Sequence, residues 1–344
     1  MHTSPSCGIL SRMSAPVAPF VLSPHFSPRP WGTHDLSAWF STSNAAIVSA
    51  AKLIGESWLT GNHCRILTGN FAGLTLAGIM AASGAEILGQ PNLHSTSATV
   101  ASFPEFPLLI KFIFPHDKLS VQVHPDDALA QAAGHPRGKT ECWYVLSAKP
   151  GSAIALGLRP GVTAEDVRAA IEDSTLESLL NQLPVETGDL IFVDPGTIHA
   201  IGPGIVLFEC QQQSDLTYRL YDYGRDRQLH VDLGLKALRT ETSAGKIAPT
   251  TIAPGITQLI ENDFFAIVRV ELKAGASYPL PPASTVSIVV PLADSVAFHC
   301  PNTAPVNIGK AHALVIPANA TDCELKASAP ATILIATPGP SASK

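Results

Sequence analysis

The chain has 344 residues, 46% hydrophobic and only 15% charged, enough for one large domain or two modest ones with buried cores. A net charge of −6, a pI near 6.0 and no basic run argue against nucleic acid and anionic membrane surfaces as partners. An anionic metabolite therefore needs a local cluster of Lys and Arg, and no apolar run approaches the ~20 residues that span a bilayer.

The N-terminal stretch MHTSPSCGILSRMSAPVAPFVL is broken by prolines and lacks a basic n-region. It is expected to be a disordered tail over residues 1–22, with a start at Met13 as the alternative. The six cysteines, Cys7, Cys64, Cys142, Cys210, Cys300 and Cys323, form no close sequence pair. They read as reduced thiols of a cytoplasmic protein, not as a disulfide framework or a zinc knuckle.

In chain order, Ala45, Val48, Ala51 and Leu53 suggest a helical region over 44–55. From Phe106 onward the segments FPLLIKFIF, KLSVQVHP, ECWYVLS, SAIALGL, DLIFVDPG, IVLFECQQ and TYRLYDY each read as a strand bounded by turn residues, a pattern of sandwiches and barrels. Between them, Val167, Ala170, Ile171, Leu176, Leu179 and Leu180 recur at helical spacing after Thr163, with Asp166 three residues later as at a helix start. This predicts a helical insertion over 162–184, with a break near Asp173 and Ser174.

After residue 240, alternating stretches such as FFAIVRVEL, STVSIVVPL and ATILIAT suggest a second, smaller β-domain over 241–340. It lacks the His and Glu pattern of the first part, so catalysis is placed in a first domain over 23–240. The closing PGPSASK is expected to be disordered.

The strongest local signal is Gln122-Val123-His124-Pro125-Asp126-Asp127. On a strand, residues two apart share a face, so Gln122 and His124 point one way and Val121 and Val123 the other. Glu141 opens the next strand, on one face with Trp143, and His199 follows a glycine-bearing turn at Gly196. Two His, one Glu and one Gln supply neutral nitrogen and hard oxygen, a donor mix suited to Zn²⁺ and tolerable for Mn²⁺, Co²⁺ or Fe²⁺. Taken singly, either histidine reads more readily as a hydrogen-bonded structural residue; the combination makes the case.

Through PRPWG, GESW, FPLLIKFI, LSVQVHPDD, GKTECWY, GDLIFVDPGTIHAIGPG and FECQQQSDLTYRLYDYGR, in that order, the chain resembles the type I phosphomannose isomerases, most of all their short bacterial members. The resemblance runs from about Pro28 to Arg225 and is weak in the last hundred residues. It implies a mostly β, cupin-type jelly-roll barrel with a helical insertion and a second smaller β-domain. It also implies metal-dependent interconversion of mannose 6-phosphate and fructose 6-phosphate, with one Zn²⁺ or similar ion per chain.

By position, the resemblance implies Gln122, His124, Glu141 and His199 as metal ligands. It implies Arg219 as the active-site arginine, Lys139 as a pocket lysine for ring opening or proton transfer, and Glu209 as a pocket carboxylate and candidate base. Lys111 and Ser120 are implied at the substrate phosphate. A small sugar phosphate is the expected partner, and a monomer or weak homo-oligomer the expected state. Asp194-Pro195-Gly196 departs from the family's usual Pro-Ala-Gly, which places Asp194 as a possible change at the pocket rim.

Bland alternatives exist for each residue: Arg219 pairing with Asp222 or Asp215, Lys111 reaching solvent from its strand, Lys139 as an ordinary turn residue. Trp31 and Trp58 read as packing anchors. Two other functions fit parts of the pattern. Two His and a carboxylate on a β-barrel also describe non-haem iron oxygenases, and a sugar-phosphate-binding cupin without turnover would keep the same fold.

Overall fold

The computed structural model describes residues 17–40, 52–89, 104–301, 303–318 and 320–342. The chain is mostly β, as its alternating segments predict. It divides into two compact units, one of 26–57 with 109–248, the other of the described residues of 1–25, 58–108 and 249–344.

The unit of 26–57 and 109–248 holds two sheets. A five-stranded sheet runs in the order Tyr218–Tyr221, Val121–Val123, His199–Ile201, Ala153–Leu158, Leu180–Pro184. A seven-stranded sheet has at its centre Leu190–Val193, Glu141–Ala148, Ile205–Gln212 and Leu108–Ile113. The period-2 alternation of each strand explains its two faces. Val121, Val123, Ala200 and Leu220 pack in one apolar cluster with Val167, Ala170 and Ala237 from the short helices Ala164–Glu172 and Val231–Ala237. The alternate residues Gln122, His124, His199 and Arg219 lie outside that cluster. On the seven-stranded sheet Trp143, Val145, Ile191, Val193 and Leu207 join a second cluster with Leu119, Ile154 and Ile201.

The insertion begins as expected, with Thr163 capping the helix in a reciprocal box with Asp166. The helix ends at Glu172, and Ser174 adopts a left-handed backbone with φ 59°. The expected helical character stops short of 184: a 3₁₀ turn covers Leu176–Leu179, and Leu180–Pro184 is a strand paired with Ala153–Leu158. Leu176 and Leu180 are buried because they cover the outer face of the sheet, so their helical spacing reflects burial shared by two different elements.

In the second unit, the helix Leu76–Leu88 was not anticipated in the sequence. Thr75 caps its start, accepting from Gly78 N–H, and Gly89 ends it with φ 73°. Gly78 and Gly84 inside it and the non-helical Ser83 blur the pattern. A Cβ at Gly89 would lie 2.3 Å from both Ala318 Cβ and Ser284 O, and Ala318 N–H donates to Ile87 O at 2.9 Å. That packing ties 58–108 to the C-terminal strands, so the boundary of 23–240 expected from sequence cuts across the observed units.

The tail expected over 1–22 also ends earlier: Phe20–Leu22 is a buried strand paired with Ala313–Val315. Met1, Met13 and residues 44–51 lie outside the described residues, and Ile54–Trp58 at the end of the expected helix is strand. In PGPSASK, Gly339 N–H bonds Phe264 O, Ser341 N–H bonds Asp263 O, and Ala342 is buried. Among the described residues no helix is long and apolar enough to cross a membrane.

Candidate metal centre and adjoining cavity

Strand register brings the candidate residues into one row. Gln122 lies directly opposite His199 on one side and Arg219 on the other. On the other sheet Glu141 lies opposite Gln211, and Trp143 opposite Glu209. Gly196 N–H donates to His124 O at 2.8 Å, which joins the two histidine-bearing segments. Gly196 has φ +87°, and a Cβ there would lie 2.7 Å from Arg239 Cγ, so this turn requires glycine. Gly138 precedes Lys139 at an equally close approach, 2.4 Å from its built Cβ to Asp126 C.

His124, Glu141 and His199 are fully buried, with ligand atoms within 4.8 Å of one another. Each imidazole faces a backbone carbonyl through Nδ1, Leu216 O at 3.0 Å for His124 and Thr197 O at 2.9 Å for His199. A carbonyl only accepts, so each Nδ1 carries the proton and each Nε2 presents its lone pair. Glu141 Oε1 lies 3.6 Å from His124 Nε2 and 3.4 Å from His199 Nε2. Glu141 Oε1, buried between the two rings, has no hydrogen-bond partner of its own. Ligands about 2.1 Å from a tetrahedral ion stand roughly 3.4 Å apart, so this donor set fits a divalent cation.

Gln122 Nε2 lies 3.2 Å from His199 Nε2, and its Oε1 lies 3.4 Å from Ser120 Oγ. Turning the amide over presents oxygen to the cluster instead, and the two orientations are equivalent in shape.

The electrostatics follow from burial. Burial, then the nearby Lys139 ammonium, holds His124 well below the usual imidazole range, and burial lowers His199 to about 4. Both rings are therefore neutral near pH 7, as metal ligands must be. Burial pushes Glu141 up to about 7 against the pull of Lys139. Burial also raises Glu209, but Lys139, Lys111 and the Trp143 indole outweigh it and bring Glu209 down to about 2.

Both lysines are buried. Lys139 Nζ sits 2.5 Å from Glu141 Oε2, 3.1 Å from His124 Nε2 and 3.9 Å from Glu209 Oε1. Lys111 Nζ lies 3.3 Å from Glu209 Oε2 and 3.4 Å from Asp215 Oδ1. Burial alone would lower the Lys111 pKa, yet Glu209, Glu56 and Asp215 hold it above the ordinary lysine value. Neither lysine is the solvated strand or turn residue that a plain sequence reading allows.

Arg219 is not spent on Asp222, which pairs with Arg225 and Arg227, nor on Asp215, which pairs with Lys111. Its Nη1 donates to Gln228 O at 2.8 Å, while the buried Nε meets no acceptor.

A cavity of about 420 Å³ adjoins the cluster, with Lys111, Ser120, Gln122, Lys139, Glu209 and Arg219 on its wall. Arg29, Glu56 and Arg227 also line it and were missed in the sequence. Arg29 and Glu56, joined at 2.8 Å, lie in the quoted PRPWG and GESW blocks, so their polarity beside the tryptophans was the available signal. Trp31 is a packing anchor that also lines the cavity, and Trp58 lies elsewhere, edge-on to His25. Asp194 is not on this wall: it accepts from Ser243 N–H and Oγ and ties the Gly196 turn to that segment.

A two-sheet β-barrel with two neutral histidines and a glutamate converging beside a cavity lined by Lys111, Lys139 and Arg219 defines a cupin-type fold with a candidate metal centre. Residues 20–180 match the phosphomannose isomerase type I catalytic domain. The chain is 31% identical over 275 residues to a probable mannose-6-phosphate isomerase, GmuF, of Bacillus subtilis, covering 76% of this chain and 82% of that protein. It is 40% identical over 172 residues to the mannose-6-phosphate isomerase of Streptococcus mutans, a match spanning 48% of this chain and about half of that protein's length, 54%. The crystal structure of the B. subtilis mannose 6-phosphate isomerase superposes with a TM-score of 0.77 at 25% identity, covering 93% of this chain and 99% of that one. The chain belongs to the type I mannose-6-phosphate isomerase family.

Proposed function

We propose that the chain is a mannose-6-phosphate isomerase, which interconverts mannose 6-phosphate and fructose 6-phosphate at the cavity beside His124, Glu141 and His199. The observation that carries the reading is the convergence of two lone-pair-bearing Nε2 atoms and the Glu141 carboxylate beside a pocket holding Lys111, Lys139 and Arg219.

Aldose–ketose isomerisation moves a proton between C2 and C1 through a cis-enediolate, so a site must hold negative charge on adjacent oxygens. His124, Glu141, His199 and the turned amide of Gln122 would hold a divalent cation, and their nitrogen and hard-oxygen donors favour Zn²⁺. Bound there, the ion supplies Lewis-acid stabilisation of that developing charge. Arg219, on the cavity wall, adds a permanent cation whose planar guanidinium can face a sugar or enediolate oxygen. Lys111 and Ser120 offer the phosphate a charge-assisted and a neutral hydrogen bond.

Lys139, within reach of both the cluster and the cavity, serves ring opening or proton transfer. Glu209 is held so firmly ionised that it is a weak proton acceptor near neutral pH, and it acts mainly as counter-ion to the two lysines.

The test is formation of fructose 6-phosphate from mannose 6-phosphate by the purified chain. Oxygen consumption with Fe²⁺ and no isomerised product would favour an oxygenase instead. Saturable binding of mannose 6-phosphate without turnover would favour a binding protein.

A further inference from the structure

We propose that Cys300 and Cys323 are a redox-modification site, a reversible dithiol that closes to a disulfide when the protein meets a small disulfide oxidant. The two are separated by 22 residues in sequence, so their scatter gave no sign of pairing, and the thiols were expected to stay unpaired. The fold brings them together. The strands Val296–His299 and Glu324–Ala327 pair antiparallel with His299 opposite Glu324, and Cys300 and Cys323 are the next residues outward.

Residues directly opposite in an antiparallel pair have Cα atoms about 4.5–5.5 Å apart, inside the 4.4–6.8 Å that disulfides use. Their Sγ atoms lie 2.8 Å apart, well inside the ~3.5–4.0 Å at which even non-bonded carbons settle. Both thiols point to the same place, since each also lies near Thr321 O, at 3.5 Å from Cys323 and 3.9 Å from Cys300.

Access is asymmetric. Cys300 is half-buried and Cys323 buried. Burial, then the contact with Cys300, raises the Cys323 thiol, and Cys300 is the more accessible of the two, so Cys300 is the first nucleophile. Its thiolate attacks one sulfur of the small disulfide, forming a mixed disulfide and releasing one small thiolate. Cys323 then attacks Cys300 Sγ, forming the intramolecular bond and releasing the second. The two protein thiol protons end on the two small thiols; the protein loses two electrons and the oxidant gains them. Proximity offsets the poor ionisation of Cys323. The bond staples the end of the four-stranded sheet containing Ser277–Pro279, Glu324–Ala327, Val296–His299 and Val306–Ile308.

The chain carries its own control. Cys142 lies directly opposite Cys210 in the other unit, but both are wholly buried, as is Cys64, so a dissolved oxidant does not reach them.

The test treats the native full-length chain with oxidised glutathione, alkylates remaining thiols and maps peptides by mass spectrometry. The expected result is a Cys300–Cys323 cross-linked peptide that dithiothreitol reverses, with Cys64, Cys142 and Cys210 still recovered as thiols after denaturation. Cys323→Ser should stop at a stable glutathione adduct on Cys300. The proposal is overturned if the wild-type chain keeps both thiols free or stalls at the Cys300 adduct. It is equally overturned if the cross-link forms only in denaturant, a measurement on wild-type protein that does not depend on the variant folding.

Discussion

Lys139 and Glu141, two residues apart in the chain, meet through their side chains at 2.5 Å, Nζ to Oε2, in the interior of the barrel. The same ammonium lies 3.1 Å from His124 Nε2. A positive charge thus stands against one nitrogen that would hold the metal and against the second oxygen of Glu141, so a bound cation must share that carboxylate with it. Lys139→Ala removes that competing charge. It should retain metal about tenfold more tightly in a chelator competition, roughly 1.4 kcal/mol, while turnover falls on the order of 10²–10⁴. Weaker metal retention in the variant would show that Lys139 supports the ligands and does not compete with them.

Metal binding and catalysis should separate along the row Arg219–Gln122–His199. His199→Ala deletes a lone pair that no neighbour replaces, so both metal content and turnover should be lost. Arg219→Ala leaves the ligand cluster untouched, so metal content by elemental analysis should match wild type while turnover is lost. Near-normal turnover in Arg219→Ala would remove the arginine from the mechanism.

Glu209 balances two buried ammonium groups, Lys111 at 3.3 Å and Lys139 at 3.9 Å. Glu209→Gln keeps the shape and removes the charge; because Glu141 still faces Lys139 and Asp215 still faces Lys111, it should destabilise the fold by about 1–3 kcal/mol, less than the ~3–5 kcal/mol of orphaning a buried charge outright. Urea denaturation reads this directly. A change below about 1 kcal/mol would mean that the lysines have other counter-charges that suffice.

The pH dependence of the metal-free protein has a definite sign. In the unfolded chain a histidine protonates near 6.5. Folded His199 does so only near 4, and His124 is also shifted well down by burial. Between these values the unfolded chain binds the extra protons, so stability falls as pH drops from 6.5 toward 4. Glu141, raised to about 7, takes up a proton in the folded state over 7 to 4.5 and offsets part of this loss. Two imidazoles outweigh one carboxyl, so the EDTA-treated protein should unfold in less urea at pH 5 than at pH 7. An equal or higher midpoint at pH 5 would contradict the buried, neutral histidines.

The strands that carry the site were legible because each shows period-2 alternation between turn residues: Val121 and Val123 against Gln122 and His124, Cys142 against Glu141 and Trp143. The Thr163 capping box was legible for the same local reason. Long-range facts were not. Glu56 and Arg29 reach the cavity from the neighbouring strands Ile54–Trp58 and His25–Thr33, far from the motif in sequence, and Cys323 meets Cys300 only through sheet register. Leu180 has helical spacing from Leu176 but sits on a strand, since burial against one sheet face imposes the same apolar choice on both. The helix Leu76–Leu88 was hidden by its own glycines, one of which packs within a built-Cβ distance of 2.5 Å of Pro104.

The central claim is that the cation held by His124, Glu141 and His199 carries the isomerase reaction. The direct measurement follows fructose 6-phosphate formation and metal content together, in the purified chain, after EDTA and again after one equivalent of Zn²⁺. The account predicts that turnover disappears with the metal and returns with about one ion per chain. Full turnover in protein shown to be metal-free would contradict it.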